Sequence, residues 1–135
     1  TMCFTKKLVI FFMVIFVPQT LLGGEGPVFE LRTYTTADGR LPALEKRFRD
    51  HTMEFFEKHG MKNIGYWIPL EQPNTLIYIL SHENMEAAKR SWRSFSSDSG
   101  WQEVAKESQK DGPILIRGGV KSIFMKAADY SPINR

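Results

Sequence analysis

Apolar and polar positions alternate with two distinct periods along the chain, and these periods predict its elements. The stretch "VFELRTYTT" (28–36) alternates and is rich in β-branched and aromatic residues, which is typical of a strand. Residues 41–60 are predicted to form a helix, with Pro42 in the first turn and Gly60 as the stop signal. The other predicted elements are strands at 62–70, 75–82 and 120–127, a helix at 83–98 and a short helix at 99–112.

The order of these elements is strand, helix, strand, strand, helix, strand. This order predicts an α+β, ferredoxin-like βαββαβ fold with a four-stranded antiparallel sheet and helices on one face. The other sheet face also carries Tyr, Trp and aliphatic side chains, so it needs a cover. We expect a second copy of the chain to supply that cover in a homodimer.

The N-terminal segment differs from the rest of the chain. Lys6 and Lys7 precede ten consecutive apolar residues (8–17), and Pro18, Gly23 and Gly24 follow. This pattern is typical of a secretory signal peptide, and the run is shorter than the roughly 20 residues that span a bilayer. We expect residues 1–24 to be a signal peptide and 25–135 a single secreted or periplasmic domain. The alternative is an uncleaved membrane anchor.

Removal of residues 1–24 changes the charge and the thiol content. Only two of the 18 basic residues lie there, so 16 basic and 15 acidic residues stay and the net charge falls from +3 to +1. That charge does not indicate a nucleic-acid partner. Cys3, the single cysteine, is lost as well, which excludes a disulfide or a cysteine nucleophile in the mature domain.

Two histidines, His51 and His59, lie on the predicted first helix. If successive residues turn by about 100°, both fall within the apolar stripe of that helix, beside Leu44, Phe48 and Phe55. Their backbones would be about 12 Å apart, which argues against one shared metal ion. His59 suits the helix end, where its ring could cap carbonyl groups; His51 is either a core histidine or a residue of a ligand pocket.

The strands add further candidates, but no enzyme motif. Arg32 and Tyr34 share one strand face with Glu30, so Arg32 either pairs with Glu30, within one chain or across a subunit interface, or holds an anionic ligand. Tyr66 and Trp67 either pack in the core or dimer interface, or line a ligand pocket. The chain lacks a phosphate-binding loop, a dinucleotide fingerprint and a nucleophile elbow. No cofactor or metal is therefore assigned, and whether the protein is an enzyme stays open.

Several segments together resemble the NIPSNAP family of the dimeric α/β-barrel superfamily. They are "FELRTYT" in the first strand, "FEKHG" at the end of the first helix, "GYW" in the second strand, "NTLIYIL" in the third, "D..GW" at 98–101 and "DYSP" near the end. The resemblance covers nearly all of residues 27–132 and is greatest to bacterial secreted members. It implies a ferredoxin-like subunit whose sheet packs on the sheet of a second subunit.

The resemblance leaves two functional hypotheses. One is a pocket for a small apolar or aromatic ligand between helices and sheet, with His51, His59, Tyr66 and Trp67 in its wall. Its enzymatic form, by analogy with the superfamily, is a cofactor-independent monooxygenase or a haem-binding enzyme. The other hypothesis is a dimeric interaction module without catalysis.

Overall fold

The predicted order of strands and helices is confirmed in a computed structural model, which describes residues 26–134. The segment predicted to be a signal peptide lies outside the described residues. The strands are β1 (Val28–Thr36), β2 (Lys62–Trp67), β3 (Thr75–His82) and β4 (Leu115–Lys126). The helices are α1 (Leu41–Arg47), a π segment (Phe48–Thr52), α2 (Met53–Lys58), α3 (Met85–Ser97) and α4 (Ser99–Ser108).

The four strands form one antiparallel sheet in the order β2-β3-β1-β4. This is the predicted ferredoxin-like topology, with β2 and β3 joined as a hairpin. Arg32 on β1 lies opposite Tyr78 on β3 and Ser122 on β4, so these three side chains share one face. That face is the one against the helices, because Tyr78 belongs to the core together with Phe48 and Phe56 of the first helix.

Two strand ends differ from the sequence prediction by three residues or more. β2 ends at Trp67 rather than at residue 70, just before a segment that contains Pro69, which has no N–H to donate to a ladder. β4 begins at Leu115 rather than at residue 120 and continues through a register shift. Glycines permit this shift: Gly118 has a φ of +71°, and a Cβ on Gly119 would lie 2.5 Å from the Thr35 carbonyl oxygen.

A π segment interrupts the first helix, and the sequence prediction did not anticipate it. The backbone N–H of Met53 donates to the Phe48 carbonyl, five residues back, and the wider turn alters the phase of the residues that follow. Thr52 consequently points inward and is only 2% exposed, with its hydroxyl donating to the Arg47 carbonyl at 3.2 Å. The predicted stop at Gly60 is confirmed by its φ of +80°.

The sheet has one covered and one uncovered face. The core between helices and sheet is aromatic, with Phe48, Phe56 and Tyr78 in mutual edge or stacked contact. The other face, here called the open face, carries Leu31, Thr33, Trp67, Ile77, Ile79, Lys121, Ile123 and Met125; Phe29 and Ser81 lie on the same face and are buried. Within residues 26–134, no helix has the length and apolar character needed to cross a membrane.

Candidate functional site

The predicted direction of His51 is wrong. His51 lies in the π segment and is exposed, whereas the next residue, Thr52, occupies the inward position. The phase calculation assumed an unbroken turn of 100° per residue, and the π segment departs from that value. His51 therefore borders a groove between α1 and α4 and does not face Tyr66 or Trp67.

His59 lies at the end of α2, as predicted, but its ring does not cap the carbonyls of its own helix. Its Nδ1 is 2.7 Å from the Ser94 hydroxyl on α3, and its Nε2 is 2.7 Å from a carboxylate oxygen of Asp98, the cap of α4. If Nε2–H donates to Asp98, Nδ1 accepts from Ser94. Hydrogen bonds from Lys58 and then His59 lower the pKa of Asp98 far below its usual value.

Ser94, His59 and Asp98 are the residue types of a Ser-His-Asp catalytic triad, in the same order of contact. However, none of the three residues lines either of the two grooves described below. Asp98 is also engaged by Lys58 at 2.6 Å and by the backbone N–H of Gly100 at 2.8 Å. We therefore interpret His59 as a link that fixes α2 to the junction of α3 and α4.

Tyr66 and Trp67 border a groove between the first helix and the β2 edge of the sheet, with a volume of about 270 Å³. We call it the aromatic groove. Its apolar lining is Phe48, Met53, Tyr66, Trp67, Ile68 and Leu76, and its two charged side chains are Glu45 and Arg49. Trp67 is 51% exposed, and its indole lies over Gly65, where a Cβ would be 2.5 Å from the ring. Trp67 therefore belongs both to this groove and to the open face.

The groove beside His51 is larger, about 560 Å³, and we call it the charged groove. Its basic side chains are Arg40, Lys46, Arg47 and Lys110. Its carboxylates are Asp50, Glu103, Glu107 and Asp111. Arg47 is the buried member of this set, at 8% exposure, and its guanidinium lies 5.4 Å from the centre of the Trp101 ring.

A cluster of polar side chains around Glu30, here called the Glu30 cluster, lies between the sheet and α3, with Glu30 and His82 as its buried members. It consists of Glu30, Arg32, His82, Trp92 and Ser122. Glu30 is 1% exposed and accepts hydrogen bonds at 2.7–2.8 Å from the four other members. Of the alternatives predicted for Arg32, the structure shows the ion pair with Glu30 within one chain. Arg32 also donates to the hydroxyls of Tyr78 at 2.9 Å and Tyr34 at 3.2 Å.

The hydrogen bonds of the Glu30 cluster favour its charged state. Burial alone would raise the pKa of Glu30, but the bonds from His82, Ser122, Trp92 and Arg32 outweigh burial and lower that pKa from 4.5 to about 2. Burial would likewise lower the pKa of Arg32, yet its Tyr78, Tyr34 and Glu30 contacts raise it above the ordinary value. The cluster is therefore an ion pair with nearly complete hydrogen bonding; the Nδ1 atom of His82 is buried without a partner in the described structure.

Sequence reasoning missed Arg47 and Ser122, and it placed His82 as a neighbour of a helix cap and Trp92 in the core without connecting either to Glu30. Arg47 follows Leu44 by three positions, which places it at the border of the apolar stripe, so helical spacing carried a weak signal. The other three come from α3, the end of β3 and the middle of β4, and only the strand register brings them to Glu30. In residues 26–134 no three His, Cys, Asp or Glu side chains are arranged to hold a metal ion.

The sequence pattern of the NIPSNAP family matches residues 29–132, which is most of the chain. The chain belongs to the NIPSNAP family. The match covers β1 through the end of β4 and includes both grooves and the Glu30 cluster. No curated protein matches the chain.

Solved structures support the same fold. An uncharacterised NIPSNAP-like domain protein from Burkholderia xenovorans has a TM-score of 0.70 at 18% identity, covering 82% of this chain and 92% of its own. A NIPSNAP family protein of unknown function from Agrobacterium tumefaciens has a TM-score of 0.68 at 23% identity, covering 80% and 94%. SnoaB, a cofactor-independent oxygenase from Streptomyces nogalater, has a TM-score of 0.55 at 14% identity, covering 80% and 99%. At these identities the TM-scores establish a shared fold and nothing about activity.

Proposed function

We propose that this NIPSNAP domain is a secreted homodimer that binds a small apolar or aromatic molecule in the aromatic groove. The observation that carries the proposal is the exposed Trp67 indole at the border of a groove lined by Phe48, Tyr66 and aliphatic side chains. Ligand sites are typically concave and mostly apolar, with a few polar groups that orient the ligand. Glu45 and Arg49 are the charged groups available for that purpose.

The ligand proposal is tested with N-phenyl-1-naphthylamine, a neutral probe whose fluorescence rises in apolar surroundings. We expect saturable binding to the wild-type chain and binding at least about tenfold weaker to Trp67→Ala, since a large buried aromatic contact is lost. Tyr130→Ala removes an exposed aromatic residue that lies outside the groove, in the C-terminal tail, and serves as the control; Tyr130 is 88% exposed, against 51% for Trp67. Equal probe binding by Trp67→Ala and the wild type would refute the groove as the site.

The homodimer is proposed to form through the open face. Ile123 is 58% exposed there, and half-buried Leu31, Ile77 and Ile79 continue the apolar surface across the sheet. The fold is that of the dimeric α/β-barrel superfamily, and a second copy is a cover of matching shape and chemistry. Analytical ultracentrifugation of the wild type should therefore give a dimer at micromolar concentration.

Two positions on β4, three residues apart, offer a matched test of this interface. Ile123 lies on the open face, whereas Val120, 43% exposed, lies on the opposite face of the same strand. Ile123→Glu should shift the sedimentation coefficient to that of a monomer, and Val120→Glu should leave the dimer intact. A dimer that survives Ile123→Glu, or a wild-type monomer, would count against the open face.

Secretion is the third part of the proposal, and residues 6–17 support it through their basic start and apolar core. Expression of the full chain in a bacterium, followed by fractionation and mass spectrometry, tests it. We expect a mature chain without residues 1–24 outside the cytoplasm. An intact chain in the membrane fraction would instead indicate an uncleaved anchor.

Binding is better supported than the oxygenase alternative because none of the three histidines, which all lie within residues 26–134, lines the aromatic groove. Burial, followed by the nearby Tyr34 and Glu57, raises the pKa of Tyr66 above its ordinary value, so its hydroxyl is protonated at neutral pH. A protonated phenol can orient a ligand but is a poor general base.

A further inference from the structure

We propose that the charged groove binds a small organic monocarboxylate whose carboxylate pairs with the Arg47 guanidinium. The site is separate from the aromatic groove, because the two grooves share no lining residue. The proposal therefore stands independently of the apolar ligand, the homodimer and secretion.

The buried guanidinium of Arg47 has few hydrogen-bond partners within the described structure. Its single hydrogen bond to a described residue runs from Nη1 to the Ser108 hydroxyl at 3.3 Å, near the upper limit for such bonds. Its Nε is buried without an acceptor within the described structure. A guanidinium has five N–H donors, and burying a charge without a partner is unfavourable unless something else compensates it. Consistent with this, burial lowers the pKa of Arg47, and the phenols of Tyr34 and Tyr78 offset only part of that effect.

The carboxylates that line the charged groove do not form ion pairs with Arg47. Asp50 pairs with Lys46, and Glu107 pairs with Lys110. Glu103 and Asp111 are exposed, and neither forms an ion pair with a described residue. Arg47 is thus a buried cation inside a groove whose own anions are paired elsewhere or solvated.

The charge balance of the groove favours a ligand with a single negative charge. The four basic and four acidic side chains of the groove cancel in charge, so a dianion would add a second negative charge among four carboxylates. One carboxylate matches the planar fork of a guanidinium in a bidentate pair. Ala43 and Val104 offer apolar contact for the body of the ligand, and a volume of about 560 Å³ lies within the range of small-molecule sites.

Benzoate, with neutral benzyl alcohol and inorganic phosphate as comparisons, is the probe for this site. Calorimetry should show saturable benzoate binding to the full chain, with benzyl alcohol and phosphate binding at least about tenfold more weakly. Because Arg47 lies against the Trp101 ring, benzoate should also change tryptophan fluorescence. Equal binding of benzoate and benzyl alcohol, or tighter binding of phosphate, would overturn the monocarboxylate assignment.

Two variants test the role of Arg47 directly. Arg47→Met should weaken benzoate binding by about 10- to 100-fold, the range expected for a lost charged hydrogen-bonded contact. Arg90→Met, an exposed change on α3, should not weaken it. Val104→Glu retains Arg47 but adds a competing carboxylate to the groove, and it should abolish binding even if Arg47→Met folds poorly. Wild-type affinity in a folded Arg47→Met or in Val104→Glu, or no saturable binding by the wild type, would overturn the proposal.

Discussion

Arg32 and Arg47 are two largely buried guanidiniums in one small domain, and their surroundings differ sharply. Arg32 has an ion pair with Glu30, bonds to two tyrosine hydroxyls and a stacking contact at 4.2 Å with the Trp92 ring. Arg47 has one long bond to Ser108 and a more distant aromatic contact at 5.4 Å. A buried charge that the protein itself compensates is part of the fold. A buried charge that the protein leaves without a partner is the one whose pairing with an external ligand would be most favourable.

The first way to sharpen this contrast is Arg32→Met. The change leaves Glu30 buried with three hydrogen-bond donors but without its permanent cation. Breaking a buried pair in this way costs about 3–5 kcal/mol. Urea unfolding followed by circular dichroism should show that loss, and Arg90→Met should stay within about 0.5 kcal/mol of the wild type. A loss below about 1 kcal/mol would mean that the Arg32–Glu30 pair contributes little to the fold.

The Glu30 cluster also predicts a loss of stability in acid. The Glu30 carboxyl has a pKa of about 2 in the folded chain and an ordinary value of 4.5. A lowered folded pKa stabilises the protein above about pH 4.5, and that contribution of about 3 kcal/mol disappears as the pH falls through the range from 4.5 to 2. Asp98 titrates in acid as well, so the measurement is the difference between wild-type and Glu30→Gln unfolding curves at several pH values. Curves that stay parallel from neutral pH to pH 2 would contradict the lowered pKa.

Single donors of the cluster should have smaller effects. Ser122 donates to Glu30 at 2.7 Å from β4, an edge strand, and Ser122→Ala removes only that bond. A hydrogen bond to a charged group contributes about 1.5–3 kcal/mol, so we expect a loss near the lower end of this range, because Ser122 is exposed to water. Ser96→Ala, which removes an exposed bond to a helix carbonyl, is the control for loss of a hydroxyl. Equal losses of unfolding free energy in both variants would show that the Ser122–Glu30 hydrogen bond stabilises the fold no more than an exposed hydroxyl does.

The same two arginines show how far sequence reasoning reaches. Alternation placed Glu30, Arg32 and Tyr34 on one face of β1, and this local spacing made the observed Arg32–Glu30 pair one of the predicted alternatives. The remaining partners of Glu30 come from 52 to 92 residues away, so only the strand register and the packing of α3 reveal them. The fold itself was predictable because each element carries a strong period of its own.

The prediction of the direction of His51 failed for a different reason. A helical wheel assumes a constant turn, and the π segment breaks that assumption between Phe48 and Thr52. Thr52 took the inward position that the wheel assigned to His51, and the candidate pocket divided into two grooves on opposite sides of one helix. A single extra residue in one turn therefore separated the predicted histidine from the predicted aromatic residues. The sequence contained no signal for that insertion, such as a proline or a glycine at the site.

The smallest expected effect in this series comes from Arg47→Met, and it decides whether the two arginines differ as the contacts indicate. Met fills much of the space of the arginine chain and can keep its packing near Trp101. The variant loses one long hydrogen bond and a weak cation–π contact, but it also removes an uncompensated buried charge. These terms oppose one another, so the free energy of unfolding should change by no more than about 1 kcal/mol. A loss of about 3 kcal/mol or more, as expected for Arg32→Met, would mean that the fold already compensates Arg47. The burial of Arg47 would then give no reason to expect an external carboxylate in the charged groove.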